Sequence, residues 1–122
     1  LLYAVETPKV GGDTVFSNMY KVFDSLSEEM QTFLSRLWAL NISDKANDLD
    51  IRPKSNSTSF KASHPVIRTH PETKKKLIYV NEAHTVNFVG MTQAESEPTL
   101  DFLFKKISYF LDIFFFFWNF KK

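Results

Sequence analysis

Residues 64–81 read HPVIRTHPETKKKLIYVN. On an extended chain successive side chains alternate between faces, so His64, Val66, Arg68 and His70 share one face and Ile67 and Thr69 take the other. Pro71-Glu72-Thr73 reads as a turn, because proline presets φ for the second turn position. Leu77 to Asn81 then returns, and the stretch as a whole predicts a β-hairpin. Lys74, Lys75 and Lys76 are the only basic run. Beside a proline-led turn they read as solvated charge, not as a binding patch.

On the C-terminal side, HTVNFVG (84–90) extends the strand pattern up to Gly90. Thr92 and Glu95 have the spacing of a capping box, in which each residue satisfies the other's backbone N–H at a helix start. Leu100, Leu103, Phe104 and Ile107 give that helix its apolar stripe. On the N-terminal side, Asn41 to Ser63 keeps no hydrophobic period and reads as a long polar loop. Ahead of it lie two helices. The first carries Met19, Val22, Phe23 and Leu26 at helical spacing. The second starts after Ser27, an N-cap followed by Glu28 and Glu29, with Met30, Phe33, Leu34, Leu37 and Trp38 as its buried stripe. At the start, LLYAV (1–5) predicts a short buried strand, Gly11-Gly12 a turn, and Val15-Phe16 the beginning of a return strand.

Composition limits the function. The chain has 122 residues, enough for one small domain, with 43% hydrophobic and 24% charged residues and a net charge of +1. That charge gives no electrostatic case for a nucleic-acid partner. No cysteine is present, which removes thiolate nucleophiles and disulfides and fits a reducing, cytoplasmic setting. Asn41-Ile42-Ser43 and Asn56-Ser57-Thr58 match the glycosylation pattern but read as chance, with no secretory signal ahead of them. Six of the 13 phenylalanines fall between Phe110 and Phe120. That run is interrupted by Asp112 and is shorter than the roughly 20 apolar residues of a membrane span, so no membrane partner is expected.

The three histidines, His64, His70 and His84, invite a metal-site reading. However, His64 and His70 would lie about 20 Å apart on an extended strand, so separate surface or half-buried histidines are the simpler expectation. No His-x-Asp pair, no His-Glu-x-x-His, no phosphate-binding glycine motif and no Gly-x-Ser-x-Gly occurs. Spacing alone reveals no complete active site.

Three stretches taken as whole phrases resemble the taurine dioxygenase family, which includes dichlorophenoxyacetate dioxygenase. They are LLYAVETPKVGGDTVFSNMYKVFDSLSEEMQTFL, HPVIRTHPETKKKLIYVN and HTVNFVGMTQAESEPTLDFLF, in the family's order and covering most of residues 1–106. The resemblance implies an α+β chain forming part of a double-stranded β-helix, a jelly-roll relative, with flanking helices. It implies an oxidoreductase that uses Fe(II), alpha-ketoglutarate and O₂ to hydroxylate a small substrate, a sulfonate or another anion. The iron of such enzymes is held by two His and one carboxylate.

Carried over residue by residue, Thr14 matches the threonine whose hydroxyl helps hold alpha-ketoglutarate. Read by itself it is a strand-start residue. His84 matches a position near the substrate pocket that taurine-type enzymes fill with an aromatic residue. Read by itself it is a partly exposed strand-edge histidine. The family's His-x-Asp pair belongs upstream of LLYAV, and its second iron-binding His and its cosubstrate-gripping Arg belong downstream of FLF. The chain is therefore expected to be an internal fragment, 1–106, with no iron ligand and no activity of its own. Residues 107–122 form a Phe-rich tail unlike the family, of the kind that translated T-rich and A-rich DNA yields. The alternative is a non-catalytic structural or interaction fragment that kept the scaffold. Substrate identity and oligomeric state are left open.

Overall fold

The computed structural model describes residues 14–43 and 60–114, with the backbone alone for Thr14 and for 111–114. The expected LLYAV strand, the Gly11-Gly12 turn and residues 115–122 of the Phe-rich tail lie outside the described residues. The described residues are α+β, with small antiparallel sheets around three helices.

Strand β1, Thr14–Ser17, pairs antiparallel with β7, Leu111–Phe114, in the register Thr14↔Phe114 and Ser17↔Leu111. The ladder runs on through Asn18, whose N–H donates to the Phe110 carbonyl at 3.2 Å, and the Ser17 hydroxyl donates to the Ile107 carbonyl at 3.0 Å. Asn18 also caps helix α1, Met19–Asp24, accepting from the Lys21 N–H through its side-chain oxygen. Helix α2, Glu28–Leu34, starts as expected on Ser27, whose hydroxyl accepts from the Met30 N–H. The Gln31 amide joins the two helices by donating to the carbonyls of Phe23 and Leu26.

The expected stripe of α2 is only partly buried. Leu34 is fully enclosed, whereas Phe33 is 42% and Trp38 52% exposed. The helix stops at Ser35, so Trp38 no longer follows its period. It opens β2, Trp38–Ile42, where side chains alternate: Trp38 faces out and Ala39 is buried.

Strand β2 is the centre of a three-stranded sheet between β3, Lys61–Pro65, and β6, Thr85–Phe88. Its registers are Trp38↔Pro65 and Ile42↔Lys61 on one side and Ala39↔Phe88 and Asn41↔Thr85 on the other, with a register shift between Leu40 and Asn41. The expectation of one loop from Asn41 to Ser63 therefore needs correction at both ends. Asn41 and Ile42 complete the central strand, and 61–63 belong to an edge strand. Lys61, Ala62 and Ser63 are exposed there, which is why no hydrophobic period marked them.

The predicted hairpin is present as β4, Ile67–Thr69, against β5, Lys76–Ile78, in the register Ile67↔Ile78 and Thr69↔Lys76. The single face from His64 to His70 is not. The chain bends at Val66, whose N–H donates to the Leu37 carbonyl at 3.0 Å and whose carbonyl accepts from the Tyr79 N–H at 2.7 Å. Val66 is fully buried and ties the hairpin to the three-stranded sheet. Lys74, in the hairpin loop, has φ 59°.

Gly90, with φ 81°, turns the chain out of β6 in a backbone conformation that favours glycine. Helix α3, Gln93–Tyr109, then begins with the complete Thr92–Glu95 capping box. The Thr92 N–H donates to the Glu95 carboxylate at 2.7 Å, and the Glu95 N–H donates to the Thr92 hydroxyl at 3.3 Å. The Thr92 hydroxyl, which also donates to the Glu95 carboxylate at 2.7 Å, and then the Thr92 N–H lower the Glu95 carboxyl below its ordinary value. Leu100 and Leu103 of the expected stripe are buried, with Phe104 and Ile107 packed beside them. They join Val22, Leu34, Ile78 and Phe88 in one core beneath the sheets. No helix among the described residues is long and apolar enough to cross a membrane.

Candidate functional site

A pocket of about 430 Å³ opens where α1, the central sheet and the segment after β5 meet. This is within the range of small-ligand sites. Met19, Leu77, Ile78 and Val80 give apolar walls, while Asn41, His64, Tyr79, Asn81 and His84 supply polar groups. The polar residues come from three places in the chain. Asn41 sits on the central strand, His64 on the edge strand paired with it, and Asn81 and His84 in the turn that leads into β6.

The turn carrying His84 is tightly held. Asn81 accepts the His84 N–H on its side-chain oxygen at 2.9 Å, and its backbone carbonyl accepts the Thr85 N–H at 2.9 Å. The His84 carbonyl accepts the Ile42 N–H at 2.9 Å, which locks the turn to β2. The imidazole is half-buried, with Nδ1 3.4 Å from the Ile42 carbonyl. A carbonyl can only accept, so this contact places the ring hydrogen on Nδ1 and leaves Nε2 for another partner.

Beneath the ring, the Thr85 side chain is fully buried. Its hydroxyl accepts from the Asn81 N–H at 3.1 Å and donates to the Asn41 side-chain oxygen at 2.7 Å. His64 meets the Tyr79 ring edge-on, with ring centres 5.4 Å apart, and the Arg68 guanidinium lies 4.6 Å from the centre of the same ring.

The sequence-expected residues fall as follows. His84 lines the pocket. Thr14 opens β1, with its backbone opposite Phe114. His70 is elsewhere, in the hairpin loop, where its Nδ1 accepts from the N–H groups of Glu72 and Thr73 at 3.3 Å. Among the described residues no group of three His, Asp or Glu is arranged to hold a metal ion. Sequence reasoning missed that His64 and His84 share one pocket, and it missed Asn41 altogether by assigning it to a loop. The available signal was the polar Asn-x-x-His-Thr turn at 81–85, but its partner on β2 is forty residues away, and only strand pairing brings the two together.

The sequence model described as "Taurine catabolism dioxygenase TauD, TfdA family" matches residues 1–112. An alpha-ketoglutarate-dependent sulfonate dioxygenase of Saccharomyces cerevisiae is 36% identical over 105 residues, covering 84% of this chain and 26% of that protein. An alpha-ketoglutarate-dependent 2,4-dichlorophenoxyacetate dioxygenase of Cupriavidus pinatubonensis is 30% identical over 104 residues, covering 82% of this chain and 36% of that protein. The crystal structure of a taurine dioxygenase from Burkholderia xenovorans superposes with a TM-score of 0.71 at 27% identity, covering 88% of this chain and 35% of that one. The chain thus spans only about a quarter to a third of the length of these relatives. With the family match extending over residues 1–112 of 122, this chain belongs to the TauD/TfdA family of dioxygenases.

Proposed function

We propose that the chain is part of an Fe(II)- and alpha-ketoglutarate-dependent dioxygenase that hydroxylates a small sulfonate or other anionic substrate with O₂, and that the pocket carrying His84 takes the substrate. The observation that carries this reading is the family match over residues 1–112. The sulfonate preference is taken from the yeast relative's name. In this reading the whole catalytic domain is a double-stranded β-helix to which this chain contributes a part.

Iron and alpha-ketoglutarate supply the oxidising power of such enzymes when bound. The described residues do not fit an iron site, because no set of three metal-binding side chains converges. The part assigned to this chain is therefore binding and orientation. The Thr14 hydroxyl donates to a carboxylate of alpha-ketoglutarate. His84, anchored through Nδ1 and its backbone, meets the substrate with Nε2, while Met19, Leu77 and Val80 exclude water from the substrate's carbon skeleton.

Two measurements on the purified 122-residue chain test this. Calorimetry with Fe(II), followed by a succinate assay with alpha-ketoglutarate and ethanesulfonate, is expected to give neither tight iron binding nor turnover. Robust succinate formation would refute the inactivity of the isolated chain. Titration with ethanesulfonate is expected to shift the His84 ring resonances, and His84→Phe to weaken that binding. A His84 ring indifferent to the probe would refute the pocket assignment.

A further inference from the structure

We propose that Asn41 is a specificity-determining residue of this pocket, its carboxamide held by Thr85 so that it offers an N–H donor to an acceptor oxygen of the bound ligand. The inference rests on the reading of this pocket as the substrate site. The orientation of the amide follows from its contact with Thr85. The Thr85 hydroxyl has one proton and receives the Asn81 N–H at 3.1 Å. It donates to the Asn41 side-chain oxygen at 2.7 Å, as a hydroxyl does to a carboxamide oxygen.

The Asn41 oxygen is thereby committed to β6, and its amide nitrogen keeps two hydrogens. One makes a long contact, 3.4 Å, with the Ala39 carbonyl. Asn41 also lines the pocket with His84, so its amide is a donor that this wall offers to a ligand. The Thr–Asn pair thus joins β6 to the central strand next to a bulge and holds the Asn41 carboxamide at the pocket wall. Its chemistry selects a ligand rich in acceptors and poor in donors, as a sulfonate is.

The test uses the full chain and ethanesulfonate as the probe. In ¹H–¹⁵N spectra the Asn41 side-chain amide signals are expected to shift with ligand together with the His84 ring. Those of Asn87, whose amide donates to the Phe88 and Met91 carbonyls away from the pocket, are expected to stay in place. Asn41→Asp keeps an oxygen for the Thr85 hydroxyl but removes both donors and adds a negative charge. It is expected to weaken ethanesulfonate binding at least tenfold. If the His84 ring shifts while the Asn41 amide does not, or if Asn41→Asp binds within twofold of wild type, the Asn41 assignment is wrong and the pocket reading survives. If neither His84 nor Asn41 responds, the pocket reading fails and takes this inference with it. The wild-type amide shifts decide the matter even should Asn41→Asp fail to fold.

Discussion

Ser96 links two elements with one hydroxyl. It sits in the first turns of α3, fully buried, donating to the Thr92 carbonyl at 2.9 Å and accepting the Phe88 N–H at 3.0 Å. The Phe88 N–H belongs to a residue fully buried in the core, so its only route to satisfaction runs through this serine or an intruding water. Ser96→Ala should therefore cost about 1–3 kcal/mol, the range for stranding a buried donor, while leaving the capping box intact. Urea unfolding of the two proteins measures it, and a change below about 0.3 kcal/mol would show that the Phe88 N–H finds water instead. Lys74 is the converse case, a residue placed against its preference. It is the only described non-glycine with positive φ, and an L side chain in that region costs roughly 1 kcal/mol. Lys74→Gly removes the strain but adds unfolded-state entropy, so a net gain of roughly 0.5 kcal/mol is expected, read as a raised urea midpoint. A lowered midpoint would mean that the lysine's own contacts outweigh its backbone strain.

Among the elements, helix α3 was the most legible in the sequence, because its signals are local. Thr92 and Glu95 are three residues apart, and Leu100, Leu103, Phe104 and Ile107 keep one period. The β4–β5 hairpin was legible for the same reason, with its turn chemistry lying between its strands. Strands β2 and β3 were not, since what makes Asn41, Ile42, Lys61 and Ala62 strand residues is backbone pairing with each other across the intervening segment. Side-chain patterns do not record such pairing on a polar edge. Position 84 could be picked out by resemblance, whereas Asn41 could not, because its role depends on the register that sets it opposite Thr85. The capping box also carries a pH signature. The Thr92 hydroxyl and then the Thr92 N–H lower the Glu95 pKa in the folded state. A carboxyl with a folded value below its unfolded one binds protons more readily when unfolded. Its stabilising contribution is complete above the unfolded value and is lost as pH falls through the folded value. Glu95→Gln retains an acceptor for the Thr92 N–H but does not titrate. Wild type should therefore lose more stability than Glu95→Gln between pH 7 and pH 3, with the other carboxylates cancelling in the comparison. Parallel acid limbs for the two proteins would remove Glu95 from the account.

At the scale of the whole molecule, the described chain has many strand edges and little core to spare. The sheets have two, three and two strands, so only β2 is hydrogen-bonded on both sides among the described residues. Open edges are templates for pairing with other chains, and they are most hazardous beside exposed apolar side chains. One end of the central sheet combines both conditions. The Val89 N–H donates to the Trp38 carbonyl at 2.8 Å, which brings the two residues together, and their side chains are 53% and 52% exposed. Burying such side chains on association releases about 25 cal/mol per Å² of apolar surface, enough for weak self-association at high protein concentration. This chain covers only 26% of the yeast relative and 35% of the taurine dioxygenase structure, so in these relatives the matching segment is part of a longer chain. The isolated 122-residue chain should accordingly sediment with a weight-average size that rises with concentration. The double substitution Trp38→Lys, Val89→Lys should flatten that rise, because like charges on neighbouring strand ends repel and both side chains keep an extended backbone. Circular dichroism of the double variant guards against unfolding as the cause. A wild-type chain that stays monomeric across the whole concentration range would show that this sheet end is already protected by residues of the chain itself.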